Sequence, residues 1–192
     1  MKIIMHIDVN NAFLSWTAVF RLKQGEKVDI RNTYAIIGGD EKSRHGIVLA
    51  KSMPAKKRGV VTAETIYSAK KKCPNLEVYP PNYSFYKKMS DSMFNLIRTY
   101  SPDIEQMSID ECFLDYTPVK HLYGDEVKFA YDLKKRIKDE LGFTVNVGIA
   151  NNKLCAKMAS DFSKPYKVHT LYANEVFSKM WPLNVDDLFG IG

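Results

Sequence analysis

The spacing of hydrophobic residues along the chain predicts a mixture of strands and amphipathic helices. Residues 3–9 are apolar and rich in β-branched side chains, which is typical of a strand, although the run carries the acid Asp8. Between residues 83 and 100 apolar side chains recur at helical spacing, and a second stretch of this kind covers residues 125–141 and stops at Gly142. We therefore expect two long helices, each with one buried stripe.

Shorter predicted strands complete the order of strands and helices along the chain. Two short strands, 104–109 and 112–116, are expected on either side of an acidic pair, and residues 143–150 predict another strand. When residues 24–82 are set aside, the order of elements is β-α-ββ-α-β, which is the ferredoxin-like split βαβ arrangement. The sequence thus predicts an α+β fold, with a ferredoxin-like sheet whose helices lie on one face and a small subdomain inserted after the first helix.

Two acidic clusters stand where apolar, β-prone runs end. Asp8 lies near the end of the first strand, and Asp110 and Glu111 lie in the segment MSIDECFLD. The ferredoxin-like order would bring Asp8 beside Asp110 and Glu111, and three carboxylates at one sheet edge can hold two Mg²⁺ ions for phosphoryl or nucleotidyl transfer. On these residues alone, the alternative is that Asp8 caps the following helix and the acidic pair is a polar turn.

Positive charge is concentrated in the inserted segment. Residues 33–52 predict a hairpin, Pro54 begins a short basic helix, and residues 78–82 look like a linker. From residue 40 to residue 72 there are nine Lys or Arg against three acids, which equals the net charge of +6 of the whole chain. Such a run is either a solvated face or a surface for phosphates, and the neighbouring carboxylates favour the second interpretation.

Composition narrows the class of protein further. The 192 residues fit one large or two small domains, and 45% of them are hydrophobic, which is enough for a core. No stretch approaches the roughly 18 apolar residues of a membrane span, and the first residues do not resemble a signal peptide. Cys73, Cys112 and Cys155 make neither a metal motif nor an even disulfide set, which suits a reducing cytoplasm.

Three motifs in order resemble those of the Y-family translesion DNA polymerases: HIDVNNAF, MSIDECFLD and VGIANNKLCAKMASDFSKP. By this resemblance residues 1–13 and 83–171 are the palm, and residues 14–82 are the fingers. Residues 172–192 contain DLFGIG, which is similar to the beginning of a thumb helix-hairpin-helix. The chain is therefore expected to be a catalytic core that stops as the thumb begins.

The resemblance implies a template-directed, low-fidelity DNA polymerase that transfers dNMP to a primer 3′-hydroxyl and releases pyrophosphate. Two Mg²⁺ ions, which Mn²⁺ can replace, would be held by Asp8, Asp110, Glu111 and the backbone carbonyl of Val9. Asn10 stands where many members carry a second acid. The implied partners are primer–template DNA and dNTP, with a sliding clamp bound only through regions outside this chain. A monomer in the bacterial cytoplasm, at the nucleoid, is expected.

The same resemblance assigns residues around the incoming nucleotide. Phe13 falls at the steric gate that excludes a 2′-hydroxyl, and Lys164 matches the lysine that binds the triphosphate. Ile47 and Leu49 would form the roof over the nascent base pair. From the residues alone, Phe13 could equally be a core side chain and Lys164 a solvated loop lysine.

The fingers depart from the family pattern. Met53 and Lys56 replace a Tyr and an Arg that clasp the triphosphate in many members, and Ser52 or Lys51 could compensate. Since Met cannot donate a hydrogen bond and Lys cannot form a bidentate fork, weaker nucleotide binding is expected. Lys57 and Arg58 are the implied DNA contacts.

Two other functions remain open from the residues. An accessory protein with a polymerase-like fold would bind DNA without catalysis, but it would have no need to retain all three carboxylates. A palm-type nucleotidyl cyclase is suggested by the GGDE at residues 38–41, but Lys42 follows where its signature needs an aromatic residue. We therefore interpret GGDE as a turn.

Overall fold

The computed structural model describes residues 2–39 and 46–191. Within them it contains eight strands and eight α-helices. The strands are β1 (Ile4–Val9), β2 (Ala35–Gly38), β3 (Val48–Lys51), β4 (Glu77–Tyr79), β5 (Ile104–Gln106), β6 (Glu111–Asp115), β7 (Val145–Ala150) and β8 (Val168–Leu171). The helices are α1 (Ala12–Lys23), α2 (Met53–Lys57), α3 (Ile66–Lys72), α4 (Tyr83–Arg98), α5 (Lys120–Tyr123), α6 (Glu126–Leu141), α7 (Lys153–Asp161) and α8 (Val176–Lys179).

The chain forms two compact units. One contains Met1–Asn10 and Ser90–Gly192, and the other contains Asn11–Met89. The second unit is therefore an insertion within the first, and α4 runs from one to the other. No helix among the described residues is long and apolar enough to cross a membrane.

The first unit is built on a five-stranded sheet in the order β5-β6-β1-β7-β8. Strand β1 pairs antiparallel with both β6 and β7, and β8 is added parallel to β7. The order of β1, β5, β6 and β7 is that of a ferredoxin-like sheet, with β8 as an extra edge strand. The expected α+β class is thereby confirmed. Strand β1 lies at the centre, and all six of its residues are buried.

Helix α7 packs closely on the face of this sheet that carries Gly148. A Cβ atom added to Gly148 would lie 2.0 Å from the carbonyl oxygen of Ala156, so only glycine permits this approach. Met5, Ile7 and Val147 point to the opposite face and are fully buried, so that face is covered as well. Helix α6 also packs against this sheet, where it contacts β7 and β8.

The inserted unit has a three-stranded sheet in the order β3-β2-β4. Strands β2 and β3 form the expected hairpin, whereas the loop between them, with residues 40–41 of GGDE, lies outside the described residues. The expected linker at 78–82 is wrong at its start, because residues 77–79 form β4 and pair in parallel with β2. A core of small and apolar side chains lies beneath this sheet, made of Ile36, Val48, Ala55, Val60, Ile66, Ala69, Cys73 and Leu76.

Candidate active site

The register between β1 and β6 brings the two acidic clusters together. Asp8 lies directly opposite Glu111, and the Val9 N–H donates to the carbonyl of Asp110 at 3.0 Å. Side chains directly opposite in an antiparallel pair have Cβ atoms about 4.5–5.5 Å apart and project from the same face. The expected juxtaposition of Asp8 with Asp110 and Glu111 is therefore present. Asp8 lies within β1, so it does not cap α1.

Asp8 is nearly buried and is paired with a lysine. Lys164 Nζ donates to the Asp8 carboxylate and lies 2.8 Å from Asp161 Oδ1. Burial raises the pKa of Asp8 above its ordinary value, and the charge of Lys164 offsets this only in part. The negative charge of Asp110 raises the Asp8 pKa further, which places these two acids within electrostatic reach of each other. Burial opposes the charge on Lys164, but Asp8 and Asp161 outweigh it and raise the pKa of Lys164.

Glu111 is held by two partners from the sheet face that α7 covers. Its Oε2 accepts from Lys157 Nζ at 2.6 Å and from His6 Nε2 at 3.1 Å. Burial opposes ionisation of Glu111, but the hydrogen bond and charge of Lys157, together with His6, lower the Glu111 pKa below its ordinary value. Glu111 is therefore an ionised carboxylate at neutral pH.

His6 is fully buried beside this carboxylate. Burial, with the charge of Lys157 added, lowers the pKa of His6 to about 4, so the ring is neutral at pH 7. Because a carboxylate only accepts, the proton of the neutral ring is on Nε2. Nδ1 lies 2.8 Å from the Ser160 hydroxyl, which also donates to the Lys157 carbonyl at 2.7 Å. His6 thus orients one oxygen of Glu111.

Asp110 is half-buried at the turn before β6. Its Oδ1 accepts from the hydroxyl of Ser108 at 2.7 Å, and its backbone N–H donates to the same hydroxyl at 3.3 Å. The turn therefore presents an oriented carboxylate next to Glu111. The carbonyl of Val9 stays a predicted ligand.

The oxygen donors where β1 ends and β6 begins suit a hard cation. Mg²⁺ prefers oxygen ligands and is bound in proteins through one or two carboxylates, and Asp8, Asp110 and Glu111 supply only oxygen. The Lys157 ammonium lies against Glu111 and the Lys164 ammonium lies against Asp8, so these carboxylates already attract positive charge. Among the described residues no three His, Cys, Asp or Glu side chains are grouped as a formed metal site.

The partners of these acids were not predicted from the sequence. His6 could have been found, because positions i and i+2 of a strand share a face and His6 is two residues before Asp8. Lys157 was not among the predicted site residues. Asn146, which lies opposite Asp8 on β7, carried no signal of its own.

Ser52, in the inserted unit, was expected to contact the nucleotide. In the structure its side chain instead stabilises the local fold. Its side chain is fully buried and caps α2 by accepting from the Ala55 N–H at 3.1 Å. Its single hydroxyl proton is donated to the carbonyl of Thr33 at 2.6 Å. Ser52 is therefore committed to the local fold and has no proton to offer a phosphate.

The other fingers residues are accessible. Met53 is 51% exposed, and Lys56, Lys57 and Arg58 are exposed at the end of α2. Arg58 rests against Tyr34, whose hydroxyl accepts from the guanidinium at 3.2 Å. These side chains form a basic surface, as expected from the sequence.

Phe13 belongs to an aromatic cluster in the inserted unit. Its ring stacks on Tyr86 with a centroid distance of 4.8 Å and an angle of 10° between planes. The Tyr86 hydroxyl is itself within 2.7 Å of the Thr17 hydroxyl. Phe13 is half-buried, so one side of the ring is fixed while part of it stays accessible. Ile47 is 40% exposed and Leu49 is half-buried.

Comparison with known proteins gives consistent results. The model of the impB/mucB/samB family matches residues 7–161. The chain is 60% identical over its full length to a DNA polymerase IV of Clostridium acetobutylicum, of which it covers 48%. It is 38% identical to a DNA polymerase IV of Acetivibrio thermocellus and covers 46% of that protein. The chain thus spans about half the length of these curated relatives.

Solved structures show the same likeness. The insertion ternary complex of Dbh DNA polymerase superposes with a TM-score of 0.86 at 26% identity, covering 99% of this chain and 54% of that one. DinB from Sulfolobus solfataricus gives a TM-score of 0.85 with the same identity and coverage. The family suggested by the three motifs is confirmed, and the chain belongs to the impB/mucB/samB family of Y-family DNA polymerases.

Proposed function

We propose that this chain contains the catalytic centre of a template-directed DNA polymerase of the lesion-bypass type. The observation that carries the proposal is the register of β1 and β6, which sets Asp8 opposite Glu111 and beside Asp110 in a chain of this family. The reaction is attack of a primer 3′-hydroxyl on the α-phosphorus of a dNTP, with release of pyrophosphate. The partners are primer–template DNA and a dNTP.

The carboxylates of Asp8, Asp110 and Glu111, with the carbonyl of Val9, would hold two Mg²⁺ ions. When bound, these ions supply Lewis-acid activation of the hydroxyl and neutralise charge on the phosphates. Lys164 binds the triphosphate. As a polyanion, the triphosphate competes with Asp8 and Asp161 for the Lys164 ammonium. His6 and Lys157 hydrogen-bond to Glu111 Oε2 and so keep Glu111 ionised and oriented.

Binding of Mg²⁺·dNTP and Mg²⁺·NTP to the chain, followed by calorimetry, tests this proposal directly. Metal-dependent binding that prefers the deoxynucleotide is expected. Product analysis then separates polymerase from cyclase, because a polymerase extends a primer whereas a cyclase forms a cyclic nucleotide from NTP without DNA. For this assay the chain is fused to the part of a relative's sequence that it does not match. The expected result is primer extension without a cyclic product. Formation of a cyclic product would contradict the proposal.

Phe13→Ala is predicted to weaken sugar discrimination. Removing the ring opens space where a 2′-hydroxyl would be excluded, so the preference for dNTP over NTP should fall by at least about tenfold. Single-nucleotide insertion with dCTP and CTP measures this ratio. Phe20→Ala is the matched control, since Phe20 lies on the same helix and packs against Phe85. An unchanged ratio in Phe13→Ala would remove the assignment of the steric gate.

The double change Met53→Tyr and Lys56→Arg is predicted to tighten dNTP binding. Tyr adds a hydrogen-bond donor and Arg adds a bidentate fork, and a typical net hydrogen bond of about 1 kcal/mol corresponds to roughly fivefold in Kd. Calorimetry of Mg²⁺·dNTP binding measures the change. Lys57→Arg is the control, because it makes the same replacement one position further along α2. Equal Kd values for the double variant and the unaltered chain would refute the expectation.

We propose that residues outside the metal site bind the other partners. The exposed basic residues Lys57 and Arg58 are candidate contacts with DNA phosphates, and such binding should weaken steeply with salt. A sliding clamp would be bound through regions outside this chain. The protein is proposed to act as a monomer at the bacterial nucleoid.

A further inference from the structure

A pair of buried amides lies behind Lys164. Asn10 follows β1 and is 7% exposed, and Asn146 lies in β7 and is fully buried. Asn10 Nδ2 donates to Asn146 Oδ1 at 3.1 Å. Buried amides are costly unless their hydrogen bonds are made, so their partners show what the pair is for.

Asn146 uses its full side-chain capacity. Its Nδ2 donates to the carbonyls of Ser160 at 2.9 Å and Ser163 at 2.6 Å, while its Oδ1 accepts from Asn10 and from the Lys167 N–H at 3.0 Å. An amide has two donors and two acceptor sites, so all four are filled. The orientation of the amide is also determined, since a flipped group would face two carbonyls with its oxygen.

Two of these bonds, those to Ser163 and Lys167, end on one irregular segment, residues 162–167, which we call the lysine loop. Asn10 Oδ1 accepts from the Tyr166 N–H at 2.9 Å, and Lys134 of α6 donates to the Tyr166 carbonyl at 2.8 Å. The Lys134 ammonium also lies 3.9 Å from the centre of the Tyr166 ring. The lysine loop is therefore held by side chains from β7, from α6 and from Asn10, the residue after β1.

The lysine loop carries Lys164, and Asn10 is two residues after Asp8. The end of β1 therefore supplies both the acid with which Lys164 pairs and one clamp of the loop that presents it. We infer that Asn10 and Asn146 are positioning residues that hold the lysine loop so that the Lys164 ammonium is delivered to the nucleotide's triphosphate. This inference rests on the proposed function of Lys164, and it gives the amide at position 10 a role other than metal binding.

Asn146→Asp is the variant that tests the inference. It keeps the size and the acceptor oxygen, but it replaces the donor to Ser160 and Ser163 with a second oxygen. Loss of such buried hydrogen bonds should raise the Kd for Mg²⁺·dNTP by about tenfold. Asn95→Asp is the matched control, because it makes the same change at an exposed position of α4 and should leave the Kd unaltered.

A double-mutant cycle separates positioning from general damage. If Asn146 acts through Lys164, adding Asn146→Asp to Lys164→Ala should change the Kd by less than about twofold. Hydrogen exchange without nucleotide gives a second readout, in which the amides of Tyr166 and Lys167 should exchange faster in Asn146→Asp. Asn10→Ser, read in the same way, serves if Asn146→Asp fails to fold.

Each outcome has a definite meaning. Equal losses in the two backgrounds of the cycle would show a merely structural role and overturn the inference. Faster exchange at Tyr166 and Lys167 with an unchanged Kd would overturn it as well. If Lys164→Ala itself leaves the Kd unaltered, the proposed function of Lys164 fails, and the inference falls with it for a different and recognisable reason.

Discussion

Asp110→Asn is expected to reduce the rate of single-nucleotide insertion on the order of a thousandfold, as loss of a group that stabilises transition-state charge does in other enzymes. The replacement preserves shape, and its amide oxygen can still accept from the Ser108 hydroxyl, which is 2.7 Å from Asp110 Oδ1. It removes a negative charge from the proposed Mg²⁺ ligands. Metal-dependent binding of dNTP, measured by calorimetry, should be lost together with insertion.

The matched control for this prediction is Asp115→Asn. Asp115 lies at the other end of β6, where it accepts from the Thr117 N–H at 3.0 Å and pairs with Lys2 at 3.5 Å. Insertion should continue at close to the unaltered rate in this variant. Circular dichroism should show that both variants are folded. Full activity of Asp110→Asn would mean that this carboxylate has no catalytic role, and the proposed metal site would fail.

Gly148→Ala is expected to lower the free energy of unfolding by about 3 kcal/mol, the upper end of ordinary overpacking. The new Cβ would lie 2.0 Å from the Ala156 carbonyl oxygen and 2.4 Å from the Ser160 nitrogen. Both atoms are backbone, so α7 itself must move. For a chain of this size the melting temperature should fall by roughly 6–12 °C. Urea and thermal unfolding measure the two quantities.

The comparison variant is Gly39→Ala, where the nearest atom to a new Cβ is 3.8 Å away. Its effect on the free energy of unfolding should stay within about 0.5 kcal/mol. Because α7 carries Lys157 and Ser160, the Gly148 variant should also bind Mg²⁺·dNTP more weakly. Equal stability of the Gly148 and Gly39 variants would contradict the close packing of α7 on the sheet.

Local periodicity was sufficient for the longest elements. Strand β1, helix α4 and helix α6 were predicted within a few residues of their observed bounds, because a repeat of two or of 3.6 residues is written in neighbouring positions. Gly142, which was predicted to stop α6, adopts a left-handed conformation at its C-cap. Strand β4 was missed, because its pairing with β2 is parallel and joins segments about forty residues apart.

The motifs of the sequence predicted which acids form the site, and the tertiary structure decided how those acids are held. That Asp8 faces Glu111, with Lys164 on one acid and Lys157 and His6 on the other, depends on strand register and on helix α7. Those contacts join segments that are 46 to 156 residues apart in the chain.

The hydrogen bond of the Ser52 hydroxyl and the amide pair of Asn10 and Asn146 were also decided by the tertiary structure. Each depends on which distant backbone groups are brought within about 3 Å, the length of a hydrogen bond. The sequence by itself determined the family and the α+β class, and it predicted Asp8, Asp110 and Glu111 as the acids of the site. Only packing between distant segments decided which cations and amides surround those acids, because hydrogen bonds and burial act through space and leave no periodic pattern along the chain.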